Sequence, residues 1–235
     1  MWFFGENTYI TKKLSMYYNY VNRIDLFHIL NKIYVYNILG CNRRKAFVRI
    51  ISGQNRGTKL NTLEGEETRP TLDRVKEALF NIIQVKLEEE SIVVLDLFAG
   101  SGALGLESLS RGASKAIFCD KFGKAIDVIN KNIDKTRNYE KTIVLKCSYE
   151  NALDKLKLEN ISLDIIFLDP PYESNYYQKA LEKIKEYNLL KEDGIIILET
   201  DDKDRIMKII DSNYFDIYDV RKYGRVSLIF LNRKG

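Results

Sequence analysis

From Val48 onward the apolar residues switch repeatedly between a two-residue and a three-to-four-residue period, and the switching predicts the elements. Arg49-Ile50-Ile51-Ser52-Gly53, a turn through Gln54-Asn55-Arg56-Gly57, and Thr58-Lys59-Leu60 read as a β-hairpin with glycine at both edges of the turn. Pro70 introduces a helix over 71–85, with Leu72, Val75, Leu79, Ile82 and Ile83 on one face. Strand and helix then alternate: 92–98 with 103–111, 115–120 with 123–137, 142–147 with 149–158, 164–169 with 175–187, and 194–200 with 202–211. Two last strands, 215–221 and 226–233, are joined at Tyr223-Gly224 and must pair antiparallel. Five strand–helix units in a row specify an α/β fold with a doubly wound, Rossmann-like sheet, because right-handed crossovers lay helices on both faces. The sheet is expected to be mostly parallel with an antiparallel C-terminal strand. In such sheets ligands sit beyond the carboxyl ends of the strands, which directs attention to Phe98, Asp120, Cys147, Asp169 and Thr200.

The pattern fails before Val48. Residues 1–48 hold seven basic side chains and two acids, so the chain's net charge of +4 is carried there. Six Tyr and six Asn fall before position 43, and only a stretch over 24–39 has rough helical spacing. Three readings stand: a disordered extension, a helix packed on the outside, or a segment that is not part of the mature protein. For the last, Arg43-Arg44-Lys45 encoded as AGA-AGG-AAA would resemble a bacterial ribosome-binding site ahead of a GTG start at Val48. The gene sequence decides it; other codons, with an intact Met1 product, reject it. The expected organisation is therefore an atypical extension over 1–47, a hairpin-plus-helix region over 48–90, and the sheet domain over 91–235.

Composition narrows the class without naming it. The 235 residues are 45% apolar and 30% charged, enough for a substantial core and incompatible with collagen-like or disordered chains. Three separated cysteines and one histidine leave little for a metal site and suit a reducing, cytoplasmic setting. No apolar run reaches the ~20 residues a bilayer requires, and no secretory signal opens the chain.

Two strand exits carry chemistry. The first is Asp96-Leu97-Phe98-Ala99-Gly100-Ser101-Gly102-Ala103-Leu104-Gly105, a G-x-G-x-x-G between strand and helix, with Asp120 twenty residues beyond Gly100. Glycines let a ligand approach the backbone, and an acid ending the second strand can accept both ribose hydroxyls. Asp96, just ahead of the glycines, would oppose a pyrophosphate but suit a cationic amine; S-adenosylmethionine carries an ammonium and a sulfonium and no phosphate. The second exit is Asp169-Pro170-Pro171-Tyr172. Consecutive prolines fix φ and remove two donors, leaving the Pro170 carbonyl as a rigid acceptor beside the Asp169 carboxylate. Two such acceptors can hold the N–H groups of an exocyclic base amine and aim its lone pair at a methyl carbon. Tyr172 offers a face for a base taken out of its stack.

These motifs resemble the class I S-adenosylmethionine-dependent amino-methyltransferases. The runs 49–60, 68–80 and 95–111 are similar to the bacterial 16S rRNA (guanine(966)-N2)-methyltransferase family, in order from about Val48 to the C-terminus. The resemblance implies S-adenosylmethionine as cofactor, held by Asp96, Phe98, Ala99, Gly100, Ser101, Gly102 and Asp120. At the third exit Ser148 or Asn151 would replace the acid that often bonds the adenine amine. Asp169, Pro170, Pro171 and Tyr172 would be catalytic, with no metal. Arg49, Arg56 and Lys59 on the hairpin, with Gln54 and Asn55 at its tip, would contact RNA, a solvated charged hairpin being the alternative. Arg69 and Arg74 would stand near the RNA phosphate or the cofactor carboxylate, with surface salt bridging to Glu66, Glu67 or Asp73 as the alternative. Tyr176 and Tyr177 would either close over a flipped base or serve as ordinary helix residues. The implied activity is methyl transfer to guanine N2 in small-subunit rRNA, naked or in an assembling 30S subunit, by a monomeric, cytoplasmic enzyme. A DNA adenine-N6 methyltransferase and a non-catalytic RNA-binding protein are the rival readings.

Overall fold

A computed structural model describes residues 48–63, 70–171 and 175–234, with side chains in the first helix from Arg74 onward. The 1–47 extension, Arg69 and Tyr172 lie outside the described residues. The elements are α1 (Pro70–Ile82), α2 (Gln84–Leu87), β1 (Val93–Asp96), α3 (Ala103–Ser110), β2 (Lys115–Asp120), α4 (Gly123–Thr136), β3 (Thr142–Lys146), α5 (Tyr149–Leu158), β4 (Leu163–Leu168), α6 (Tyr176–Glu186), β5 (Leu190–Thr200), α7 (Lys203–Ile209), β6 (Phe215–Tyr223) and β7 (Val226–Arg233).

Among the described residues the strands form one seven-stranded sheet in the order β3-β2-β1-β4-β5-β7-β6. β1 to β5 are parallel, and β7 enters antiparallel between β5 and β6. Strand order reverses between β1 and β4, and a crevice opens at that point beyond the carboxyl ends.

Period-two alternation sorts the strand residues into two cores. Ala116 and Phe118 of β2, with Ile165 and Phe167 of β4, pack under α1, α3 and α4 together with Val75, Leu79, Leu106 and Ile129. Ile117 and Cys119, with Ile166 and Leu168, pack on the other face with Leu153, Ala180 and Ile206. Burial on both faces explains why these strands read as near-continuous apolar runs. Among the described residues no helix is long and apolar enough to cross a membrane.

The predicted hairpin is present in reduced form. Its two arms meet at a single antiparallel bridge, Arg49 to Lys59, flanked by Ile50 N to Thr58 O at 3.0 Å and Leu60 N to Val48 O at 2.8 Å. The turn is instead held by the body of the protein. Gln54 N donates to Ser110 O at 2.7 Å, Asn55 N to Ser110 Oγ at 2.9 Å, and the Asn55 amide to Thr136 O at 3.2 Å. Gly53 has φ +79°, and a Cβ there would lie 1.8 Å from the Ser110 carbonyl oxygen, so only glycine permits the docking. Asn55 is thus an anchor rather than a free tip.

Two further boundaries differ from expectation. The helix after Pro70 breaks at Ile83 into α1 and α2. β5 begins at Leu190, because Leu163 pairs with Leu190 before the register jumps to Ile165 with Ile195. The polar run Lys191-Glu192-Asp193 fills that bulge; Lys191 pairs with Asp164 at 2.9 Å and Asp193 with Lys86 at 2.5 Å.

The third glycine of the loop motif sets the distance between α3 and the sheet. A Cβ on Gly105 would meet Phe118 Cε1 at 2.3 Å, and Phe118 is fully buried. Gly105→Ala is expected to lower stability by about 1–3 kcal/mol through overpacking, read as a drop in urea midpoint at unchanged m-value.

Candidate active site

The loop after β1 is shaped by backbone geometry that glycine supplies. Gly100 and Gly102 have φ of +52° and +76°. Ala99 N donates to Cys119 O at 2.9 Å, tying the loop to β2. Gly102 caps α3, and its amide reaches Ala99 O at 2.6 Å. No side chain caps that helix from the preceding residue. Asp96 does so from the strand, its Oδ2 accepting from Gly105 N in the first turn at 3.1 Å.

Asp96 is 4% exposed, and burial, with the Asp120 charge adding, pushes its carboxyl up to about 7 against the Gly105 hydrogen bond. Asp120 has both oxygens engaged by backbone, Oδ2 by Gly100 N at 3.0 Å and Oδ1 by Phe122 N at 2.9 Å. The two amides fix the plane of its carboxylate at the end of β2 and leave further lone pairs for a ligand. Ser148 caps α5, its Oγ accepting from Asn151 N at 3.3 Å, so its hydroxyl proton can still be donated.

A cavity of about 1360 Å³ spans the carboxyl ends of the sheet. Its wall brings together Asp96, Phe98, Ala99, Gly100, Ser101, Asp120 and Ser148 with Asp169, Pro170 and Pro171. Gly102 is not on that wall; it lies behind it, against Phe118. Asp169 is exposed, Pro170 buried, and Pro171 exposed. Asp96 of β1 pairs in register with Phe167 of β4, so the glycine loop and Asp169-Pro170 leave adjacent strands side by side.

An aromatic cluster lines the same cavity. Phe98 stacks on Tyr176 with centroids 5.9 Å apart, and Tyr149 lies 5.5 Å from Phe98 and 5.1 Å from Tyr176. Tyr177 is buried and its hydroxyl donates to Glu199 O, which makes it a structural residue. Arg49, Arg56, Lys59 and Arg74 are exposed and lie off the cavity wall. Lys135 joins this basic surface, its Nζ 2.7 Å from Asn61 Oδ1 and 3.3 Å from Lys59 O.

Two supporting residues escaped the sequence reading. Asn132 on α4 is fully buried; it accepts from Asn61 N at 2.7 Å and donates to Asn61 O at 3.0 Å and Ser101 O at 2.9 Å, joining the N-terminal segment to the glycine loop. Glu107 on α3 is also fully buried and receives Ile51 N, Ser52 N and Arg111 Nε at 2.7, 3.0 and 2.8 Å. Both are polar residues on an apolar helix stripe, and that misplacement is the signal that could have found them.

A family model described as "Conserved hypothetical protein 95" matches residues 48–232. The protein YlbH of Bacillus subtilis is 36% identical over 190 residues, covering 80% of this chain and 100% of its own length. The ribosomal RNA small subunit methyltransferase D of Haemophilus influenzae is 40% identical over 166 residues, 67% of this chain and 80% of that protein. A solved methylase structure from Haemophilus influenzae matches with a TM-score of 0.65 at 34% identity, covering 80% of this chain and 99% of that one. With the family model spanning most of the chain and these relatives more than 30% identical over at least two thirds of it, this chain belongs to the bacterial rRNA methyltransferase family.

Proposed function

We propose that the chain transfers a methyl group from S-adenosylmethionine to the exocyclic N2 of a guanine in small-subunit rRNA. The observation that carries this reading is the single cavity wall holding both the Asp96–Ser101 loop with Asp120 and the rigid Asp169-Pro170 acceptor pair. The relatives' names supply the rRNA class.

The donor set fits the cofactor. Carboxylates flank the glycine loop at Asp96 and Asp120, an arrangement that repels a pyrophosphate and attracts an ammonium. Asp96 would face the ammonium, Asp120 the ribose hydroxyls, and Ser148 the adenine, with Phe98 as an apolar wall. When bound, S-adenosylmethionine supplies a methyl group already activated on a sulfonium. The chain's own part is positioning. The Asp169 carboxylate and Pro170 carbonyl accept the two N–H groups of the target amine and direct its lone pair. Asp169, being exposed, can release the amine proton to water. Tyr176, in the aromatic cluster, gives an extruded base a face to lie on. Arg49, Arg56, Lys59 and Arg74 would hold RNA phosphates away from the reacting atoms.

Asp96 makes cofactor binding pH-dependent. Its folded pKa of about 7 lies above the usual carboxylate value, so its ionisation costs stability as pH rises from about 4 to 7. A bound ammonium favours the ionised form. Affinity should therefore rise by up to about tenfold per pH unit below 7, with proton release on binding near neutrality. Asp96→Asn keeps the acceptor for Gly105 N and should raise the melting temperature of the free protein above pH 7. Calorimetry in two buffers of different ionisation enthalpy should show its binding weakened and no longer proton-linked.

The activity test uses labelled S-adenosylmethionine and small subunits lacking the modification. Label recovered as N2-methylguanine supports the reading; label in N6-methyladenine, or RNA binding without transfer, contradicts it.

A further inference from the structure

Two carboxyl groups stand side by side where β4 and β5 end, and the reaction described above uses one of them. The last registered pair of these strands is Leu168 with Leu198, so Asp169 and Glu199 are the next residues along each. Neighbouring strands lie about 5 Å apart, which brings the two backbones that close. Both residues line the cavity. Glu199 stands opposite Leu228 as Ile197 stands opposite Phe230, so it projects on the face shared by Ile197, Leu228 and Phe230. That is the side of the cavity bounded by Val75, Leu79 and Val226, away from the Asp120 and Ser148 end.

The Glu199 backbone is held, since its carbonyl accepts the Tyr177 hydroxyl. Its carboxyl is not. Half-buried, it has no hydrogen bond or ion pair with any described residue, and burial raises its pKa above the usual carboxylate value. A partly desolvated acid without a partner is a cost the fold gains nothing from, and a donor on a ligand would offset it.

The acceptor pair does not choose the base. Guanine, adenine and cytosine all carry an exocyclic amine that Asp169 and Pro170 could hold. What differs is the set of ring nitrogens flanking the amine. Guanine N2 stands between N1–H, a donor, and N3, an acceptor, whereas adenine N6 and cytosine N4 each stand beside one ring nitrogen, which carries a lone pair. We propose that Glu199 selects guanine by accepting its N1–H while Asp169 and Pro170 hold the neighbouring N2 amine. This inference rests on the guanine-N2 reading above. An ionised Glu199 gains a charge-assisted hydrogen bond from guanine and meets a lone pair on adenine, so it favours one base and opposes the other.

The test replaces the target guanine by 2,6-diaminopurine, which keeps the amine at C2 but carries a lone pair at N1. The RNA, free or assembled, is the form the wild-type protein methylates. The wild type should prefer guanine by at least about a hundredfold in kcat/KM, with about 10⁴- to 10⁵-fold the range reached by sites built to bond a polar group that the analogue lacks. Glu199→Ala should bring that ratio to within about tenfold, and Glu199→Gln, which keeps an acceptor oxygen, should fall between. Melting temperatures should not drop, because the carboxyl removed has no partner. An equal loss on both substrates in Glu199→Ala, or a wild-type preference for diaminopurine as a protonated Glu199 would give, overturns the inference alone. Absence of N2-methylguanine with the wild type removes the reading beneath it.

Discussion

Glu107→Ala should destabilise the protein by about 3–5 kcal/mol, the loss typical of breaking a buried charge network from one side. The carboxylate is fully buried and receives two backbone amides from the N-terminal segment, with Arg111 Nε at 2.8 Å and Lys76 Nζ at 3.3 Å. Removing it strands the Ile51 and Ser52 amides and takes the Glu107 carboxylate from two nearly buried cations, Lys76 and Arg111. Lys76 keeps the Arg49 carbonyl at 2.5 Å, and Arg111 keeps Gln84 Oε1 at 2.9 Å and the Phe80 ring at 5.0 Å, which limits the loss. Glu107→Gln retains one acceptor and should lose less. Urea unfolding of the three proteins reads the order directly; a loss below about 1 kcal/mol in the alanine variant would mean that the N-terminal segment is held by Gly53, Asn55 and Asn132 instead.

The largest effect on activity is expected at Asp169. Asp169→Ala deletes one of the two acceptors that orient the amine, and groups acting through orientation and fixed charge are worth about 10²- to 10³-fold in rate. Cofactor affinity should be unchanged, since Asp96 and Asp120 lie at the β1 and β2 exits, one and two strands away from Asp169. The split matters: a fall in kcat with unchanged cofactor binding assigns Asp169 to the transfer step, whereas loss of both would make it part of the cofactor pocket.

The sheet was legible because its strands are buried on both faces and its helices carry a clear stripe. The exits at Asp96, Asp120 and Asp169 followed, since strand ends are fixed once the strands are. Less was visible where an element owes its shape to distant partners. The 49–60 arms read as a ladder, yet Ser110, Glu107 and Asn132 take over the backbone bonding, and nothing local in the segment announces them. Lys191-Glu192-Asp193 has the composition of a turn, so the sequence pattern starts β5 at Gly194, whereas ion pairs with Asp164 and Lys86 tie the run to its neighbours at the start of the strand. Glu199 was hidden by a strand pattern in which a terminal acid looks like an ordinary solvent-facing residue. Only the register with Leu168 and Leu198 sets it beside Asp169.

In a crystal structure with S-adenosylhomocysteine bound, the decisive distance runs from the ligand's sulfur to the Pro170 carbonyl oxygen. A methyl, an attacking amine at ~3–3.5 Å and one hydrogen bond span about 6–8 Å, and the account predicts a separation in that range with Asp120 on the ribose. A sulfur beyond about 10 Å, too far for the same amine to touch both groups, would contradict it.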